Sequence, residues 1–297
     1  MMNRKKQYIR IAGLLLIILL SVGNLRPGQA QQMPELIERA HTAGIEQSQI
    51  ESLVNRAEQR GINAEELTGM LIQAVAMAEQ NLPYEMIFQK AFEGMAKGVP
   101  AQRMQPVLDE IVLNTGRAAE FVDVWVEKPA VAEMVSRSGG NMNRESFRNE
   151  MVKVSSNALS QSYDRDQLNE ILNTIADDEA FERTNPSGIL TAVNILSDLP
   201  GSSGERSSTA GVVLRALRAG FSASDLQKLP EAINMAQRRS QLPAAAVVEG
   251  VSQQLQGGVP AAQILQNLFN GNIGGGPPGN MPPGLGGNRP GNNSGMD

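Results

Sequence analysis

The stretch "EQRGINAEELTGML", Glu58 to Leu71, reads as one helix ending and the next beginning. Gly61 suits the position just past a helix, where the backbone turns left-handed and a Cβ carries a steric penalty. Ile62 is then the first residue beyond that corner and the last before the next helix. Asn63 is the N-cap, with a side-chain oxygen able to accept from a free backbone N–H. Glu66 stands three residues on, which completes a capping box, and Leu67 lies five residues after Ile62, the hydrophobic-staple spacing. Leu71 continues the same helical face. The stretch predicts two helices meeting at a sharp corner.

The same grammar recurs along the chain. Gly44-Ile45-Glu46 leads to Gln49, Ile50 and Val54, and Gly98-Val99-Pro100 leads to Met104 and Leu108. Gly220-Phe221-Ser222 leads to Asp225 and Leu226, and Gly258-Val259-Pro260 to Ile264 and Leu268. Tyr163-Asp164 leads to Gln167, Leu168 and Leu172, with Ser162 in the glycine place. Where proline replaces the polar cap, its fixed φ suits a helix start and its missing N–H costs nothing there. Corners at 45, 62, 82 and 99, and at 221, 242 and 259, are spaced evenly enough to predict helices of about 13–17 residues between short turns. Weaker corners are expected at Phe121, Met142, Tyr163 and Thr184. Two segments are visibly copies: Gly61–Leu82 aligns with Gly220–Leu242, and Pro83–Leu108 with Pro243–Leu268. "GVPA" occurs in both, at 98–101 and 258–261.

Helices this short are marginal alone and need neighbours over their apolar faces. The expected fold is therefore all-α: an array of short antiparallel helical hairpins, α-solenoid-like, with a pair period of about 37–43 residues. Apolar residues make up 41% of the chain and aromatics only 4%, which suits close-packed helices better than a β-sandwich. No tetratricopeptide or ankyrin consensus is present. The expected organisation is a signal peptide over 1–30, a first repeat block over 31–135, a degenerate helical block with loops over 136–211, a second repeat block over 212–269, and a disordered tail over 270–297. The loops are expected at Ser136–Asn143 and Ser197–Gly211.

The ends carry their own signals. Arg4, Lys5, Lys6 and Arg10 precede the apolar run "IAGLLLIILLSVG" (11–23), and "GQA" ends at Ala30. This is the layout of a Sec-type signal peptide cleaved after Ala30, and the run is short for a membrane span. The expected location is the periplasm or the outside of a bacterial cell, with no stable membrane span after cleavage. The tail, from Asn270, is dominated by glycine, proline and asparagine, and so reads as disordered. Residues 1–30 hold five basic residues and no acid; the remainder has 21 basic and 31 acidic residues, a net charge of −10. Such a surface repels nucleic acid. With no cysteine, disulfides, thiolate metal sites and a Cys nucleophile are excluded.

The chain is poor in catalytic signals. His41 is the only histidine and belongs in the last turn of a helix, where positive charge suits the dipole. "GSSG" at 201–204 is not a nucleophile elbow, and no S-x-x-K occurs. Asp164–Asp166 and Asp177-Asp178 lack calcium-loop spacing. No catalytic, cofactor-binding or metal site is assigned. "NRESF", Asn143–Phe147, resembles the Glu-Ser helix that carries the general acid in lytic transglycosylases. The resemblance implies an exported wall-cleaving enzyme with Glu145 as the acid, although the G-L-M-Q-type segment of that family does not follow. The expected function is a non-enzymatic helical-repeat scaffold of the bacterial envelope that binds a protein or peptide. The alternatives are a structural or assembly component of the envelope or extracellular matrix and, third, the lytic enzyme.

Overall fold

A computed structural model describes residues 29–138, 142–161, 163–178, 181, 183–199 and 206–273. Among the described residues there are 13 helices and no strand. They are α1 (Gln29–Thr42), α2 (Gln47–Gln59), α3 (Ala64–Glu79), α4 (Glu85–Ala96), α5 (Ala101–Val126), α6 (Pro129–Arg137) and α7 (Arg144–Ser160). These are followed by α8 (Arg165–Ala176), α9 (Pro186–Leu196), α10 (Arg206–Arg218), α11 (Ala223–Ser240), α12 (Ala244–Gln256) and α13 (Ala261–Asn270).

The corners follow the expected chemistry. Gly44, Gly61, Gly98, Gly220 and Gly258 all have φ between 67° and 89°. After α2 the Ile62 N–H donates to Ala57 O at 2.9 Å and the Gly61 N–H to Glu58 O at 3.1 Å. This crossed pair satisfies two carbonyls that the helix end would otherwise leave open. The same pair closes α1, α4, α10 and α12. It also closes α3 around Asn81 (φ 55°) and α13 around Gly271 (φ 78°), corners where glycine is absent or the sequence pattern had ended. Gln241, before Pro243, is a second non-glycine residue at positive φ. The capping box at Asn63–Glu66 is formed in both directions, and Ser222–Asp225 forms another. Pro100, Pro243 and Pro260 stand at N-cap positions.

One expected corner does not exist. Phe121 lies inside α5, which runs unbroken for 26 residues. Asp123, the one residue between Gly116 and Glu127 with capping chemistry, is engaged by Arg148 instead, and the break comes only at Lys128-Pro129, where proline occupies the first turn of α6. Met142, Tyr163 and Thr184 do precede N-caps, at Asn143, Asp164 and Asn185. The expected loops are shorter than the sequence implies, because Ser136 and Arg137 end α6 and Arg206–Gly211 begin α10. The block boundaries at 135/136 and 211/212 fall inside those two helices. The Asn270 start of the tail falls in ordered chain: Asn270 closes α13 and Ile273 is buried, close against Gly250. Residues 1–28 and 274–297, which hold most of the expected signal peptide and tail, lie outside the described residues; Ala30 is the second residue of α1.

Side-chain contacts define how the helices stack. Gln102 reaches Glu66, and Gln73 reaches Asp109, so α3 and α5 run in the same direction, 36 residues out of step. Arg39–Glu79, Arg60–Ala96 O, Arg215–Ser252 and Arg218–Asp178 join like helix ends at separations of 36–40 residues. Between α5 and α7 the order is reversed: Thr115 pairs with Ser156, and Asp123 with Arg148. Between α5 and α8 it is restored, with Trp125 donating to Leu172 O and Lys128 pairing with Asp177. Two ranks result. One holds α1, α3, α5, α8, α10 and α12; the other holds α2, α4, α7, α9, α11 and α13. The short α6 packs on α5 and α7 and lies in the turn between them. Because six array helices lie between α3 and α11, the two sequence copies fall in opposite ranks.

Trp125, the only tryptophan, sits where α5, α7 and α8 meet. It is 1% exposed, its Nε1–H donates to Leu172 O at 2.7 Å, and its ring lies 6.1 Å from Phe147 and 6.3 Å from Phe181. Arg148 ties the same junction to the end of α3: it forks onto both Asp123 oxygens, at 2.7 and 3.0 Å, and donates to Asn81 O.

Two stability predictions follow from corner and junction. A Cβ at Gly61 would meet nothing within 4 Å, so Gly61→Ala tests backbone conformation alone. It is expected to cost about 1 kcal/mol in urea denaturation, while Gln241→Gly is expected to stabilise by about 0.5 kcal/mol. Trp125→Phe leaves only the helix N–H on Leu172 O, removes a buried indole hydrogen bond and opens space beside Phe147; a loss of about 2–4 kcal/mol is expected by the same measurement.

Candidate functional surface

The sequence-expected chemistry is dispersed. His41 lies in the last turn of α1, half-buried, and its Nε2 is enclosed without a hydrogen-bond partner. Asp164 is the N-cap of α8, accepting from the Gln167 N–H at 2.7 Å. Asp177 pairs with Lys128, and Asp178 with Arg218. Among the described residues, no three acidic or histidine side chains gather as metal ligands would. The "GSSG" stretch lies outside the described residues. Glu145 is exposed in the first turn of α7, where Asn143 caps the helix through the Ser146 N–H at 2.7 Å. Its neighbour Arg144 is engaged with Glu127 and with Val126 O. No helix among the described residues is long and apolar enough to cross a membrane.

A different feature emerges where the ranks are loosest. The α5 and α7 helices, and beyond them α9, α11 and α13, pack closely, whereas α8 and α10 touch sparingly. A cleft of about 150 Å³ opens between α8 and α10. Gln167, Ile171 and Thr174 form the α8 wall, and Ala210, Gly211 and Leu214 form the α10 wall. Small residues on α10 hold this wall back from α8. Tyr163 closes one end; it is buried, and its hydroxyl is anchored on Leu196 O at 3.2 Å. Leu214 also borders a second, smaller cavity of about 10 Å³ with Ile175, Phe181 and Leu217. The Arg218–Asp178 ion pair lies at that far end. Among the described residues, Glu170 is the one charged side chain lining the larger cleft.

The cleft is too small for a cofactor or drug-sized ligand, whose pockets run to roughly 300–1,000 Å³. Its volume suits one aliphatic side chain. Its lining mixes apolar walls with the Gln167 amide and the Thr174 hydroxyl, groups able to hydrogen-bond a peptide backbone laid across the opening. Sequence reasoning missed this site because its residues are distributed over two helices, at least 36 positions apart, and share no motif. Only the small pair Ala210-Gly211, within an expected loop, hinted at a wall without bulk.

No known protein family, curated protein or solved structure matches the chain.

Glu145→Gln removes one acid from an exposed helix start. Stability is expected to change by no more than about 0.5 kcal/mol in urea denaturation, and zymograms on peptidoglycan are expected to show no clearing by either protein.

Proposed function

We propose that the chain is an exported, non-enzymatic α-solenoid-like scaffold of the bacterial envelope, built from antiparallel helical hairpins, that binds a protein or peptide partner. The observation that carries this reading is the α8–α10 cleft: a single-side-chain cavity framed by peptide-competent polar groups on a fixed helical array. Stacked helix pairs supply long surfaces whose neighbouring ridges are held in register, which suits recognition of an extended segment. Export is supported by the basic and apolar N-terminal pattern ending at Ala30. The acidic surface argues against nucleic acid as the partner.

The cleft selects for an aliphatic anchor. An acidic residue next to the anchor would be disfavoured by Glu170, and a basic one favoured. Panning the purified protein against a displayed random-peptide library is expected to enrich a motif with one Leu, Ile or Val beside a Lys or Arg. Thr174 is exposed at the mouth, so Thr174→Trp obstructs the opening without entering the core. The variant is expected to keep its circular dichroism and lose at least tenfold in affinity for the enriched peptide. Binding that is indifferent to Thr174→Trp, or no enrichment at all, would rule out the cleft as the recognition site.

A further inference from the structure

Five large apolar side chains are exposed among the described residues: Ile72, Val107, Leu113, Val124 and Leu242. Three lie on α5, and Ile72 lies on α3, which packs beside it. Leu113 is 52% exposed and Val124 70%, values far from those of nearby core residues of the same helix, such as Leu108 and Val122, which are fully buried. Leu113 and Val124 lie on one stripe of α5 over which no other described helix packs, whereas Val107 projects to another side. Arg103, Glu110, Arg117 and Val124 recur at seven-residue spacing, the repeat that keeps side chains on one helix face, and Leu113 sits between Glu110 and Arg117 on that face. The stripe spans about 30 Å of helix.

The charges on this stripe have no ion-pair partner among the described residues. Arg103, Glu110 and Arg117 make no ion pair among the described residues, whereas the charges around them do: Glu120 pairs with Arg165, Asp123 with Arg148, and Arg39 with Glu79. Their order along the helix is positive, negative, positive, then apolar. Turned end for end, that order complements itself. When two copies of α5 cross antiparallel with Leu113 against Leu113, Glu110 of each lies across from Arg117 of the other. The same register sets the long Arg103 stem against Val124, where its methylenes can cover the apolar side chain and leave the guanidinium in water.

We propose that the exposed face of α5, flanked by Ile72 of α3, is a twofold homodimer interface, with Leu113 at the dyad and reciprocal Glu110–Arg117 ion pairs. The symmetry closes on itself, so the product is a dimer and not a filament. A face of one helix with the edge of another falls at the small end of specific interfaces, which places the dissociation constant in the micromolar range. The interface is separate from the α8–α10 cleft, and each can fail without the other.

The test is sedimentation velocity on the protein produced from the full sequence, over a concentration series through the micromolar range. The wild type is expected to pass from monomer to dimer and no further. Glu110→Arg creates two like-charge contacts and is expected to weaken the dimer by about a hundredfold, as is Leu113→Asp at the dyad. The charge-exchanged double variant Glu110→Arg/Arg117→Glu is expected to recover to within about tenfold of wild type. Both sites are exposed, so circular dichroism of each variant should be unchanged. A monomer at every concentration, a higher polymer, a dimer insensitive to Glu110→Arg and Leu113→Asp, or a double variant no better than Glu110→Arg would each overturn the proposal. The last result would mean that the stripe recognises some other helix.

Discussion

The structure depends on a single backbone requirement: a residue in the left-handed conformation immediately after a helix. A helix of about a dozen residues forms too few hydrogen bonds to persist alone, and its apolar stripe must be covered by a neighbour at once. The left-handed residue makes this possible in three ways. It turns the chain within two residues. It lets two backbone N–H groups return to the last open carbonyls of the helix, as Ile62 and Gly61 do for Ala57 and Glu58. It also points the following side chain back into the core, where Ile45, Leu82 and Phe221 are all buried. Corner, hydrogen bonds and anchor are one unit, and the array is its repetition.

Among the described corners that unit is missing after α5, α8 and α9, and its loss has most consequence in the middle. From Ala101 to Val126 no corner forms, and Asn114 and Gly116 are absorbed into the helix, so α5 grows to about twice the length of its neighbours. Its first half pairs with α3 and its second with α7 and α8. The extra helix α6 absorbs the mismatch. The cost of the irregularity is met by specific contacts in place of generic apolar packing. Asn114 bonds Ser160, Thr115 meets Ser156, Trp125 holds Leu172 O, and Arg148 bridges to the end of α3. Buried polar pairs of this kind fix one arrangement of two helices where leucines alone would tolerate several.

The elements legible in the sequence were those whose chemistry is local. Glycine at C′, asparagine or serine at the N-cap and an acid three residues on each act within one turn, so Gly61, Asn63, Ser222 and Asp164 could be placed without coordinates. Asn81 and Gln241 adopt the same left-handed backbone without glycine, and only the following Leu-Pro marked them. The Phe121 corner failed for the opposite reason: apolar spacing continued on schedule while the capping residues did not, and the backbone follows the caps. Long-range features left no such trace. Nothing in the order of residues tells that Trp125 faces Phe181, that α10 begins within a serine-rich stretch, or that the copies at Gly61 and Gly220 belong to opposite ranks.

Surface function is subject to the same limit. In α5, Leu108 and Leu113 are five residues apart and equally apolar, yet one is buried and the other half-exposed. The difference arises because α3, α4 and α7 surround one side of α5 and leave the other bare, which is a property of the stack. The cleft has the same origin. The rank containing α7, α9, α11 and α13 is drawn together tightly, and the opposite rank, tied to it by short corners, cannot close equally at every step. It parts most at α8 and α10, where Ala210 and Gly211 supply no bulk to fill the gap. Both proposed contact surfaces, the α5 stripe and the α8–α10 cleft, therefore lie on the looser rank. A tightly packed rank provides rigidity, and the rank that must spread to accommodate it exposes side chains and cavities to partners.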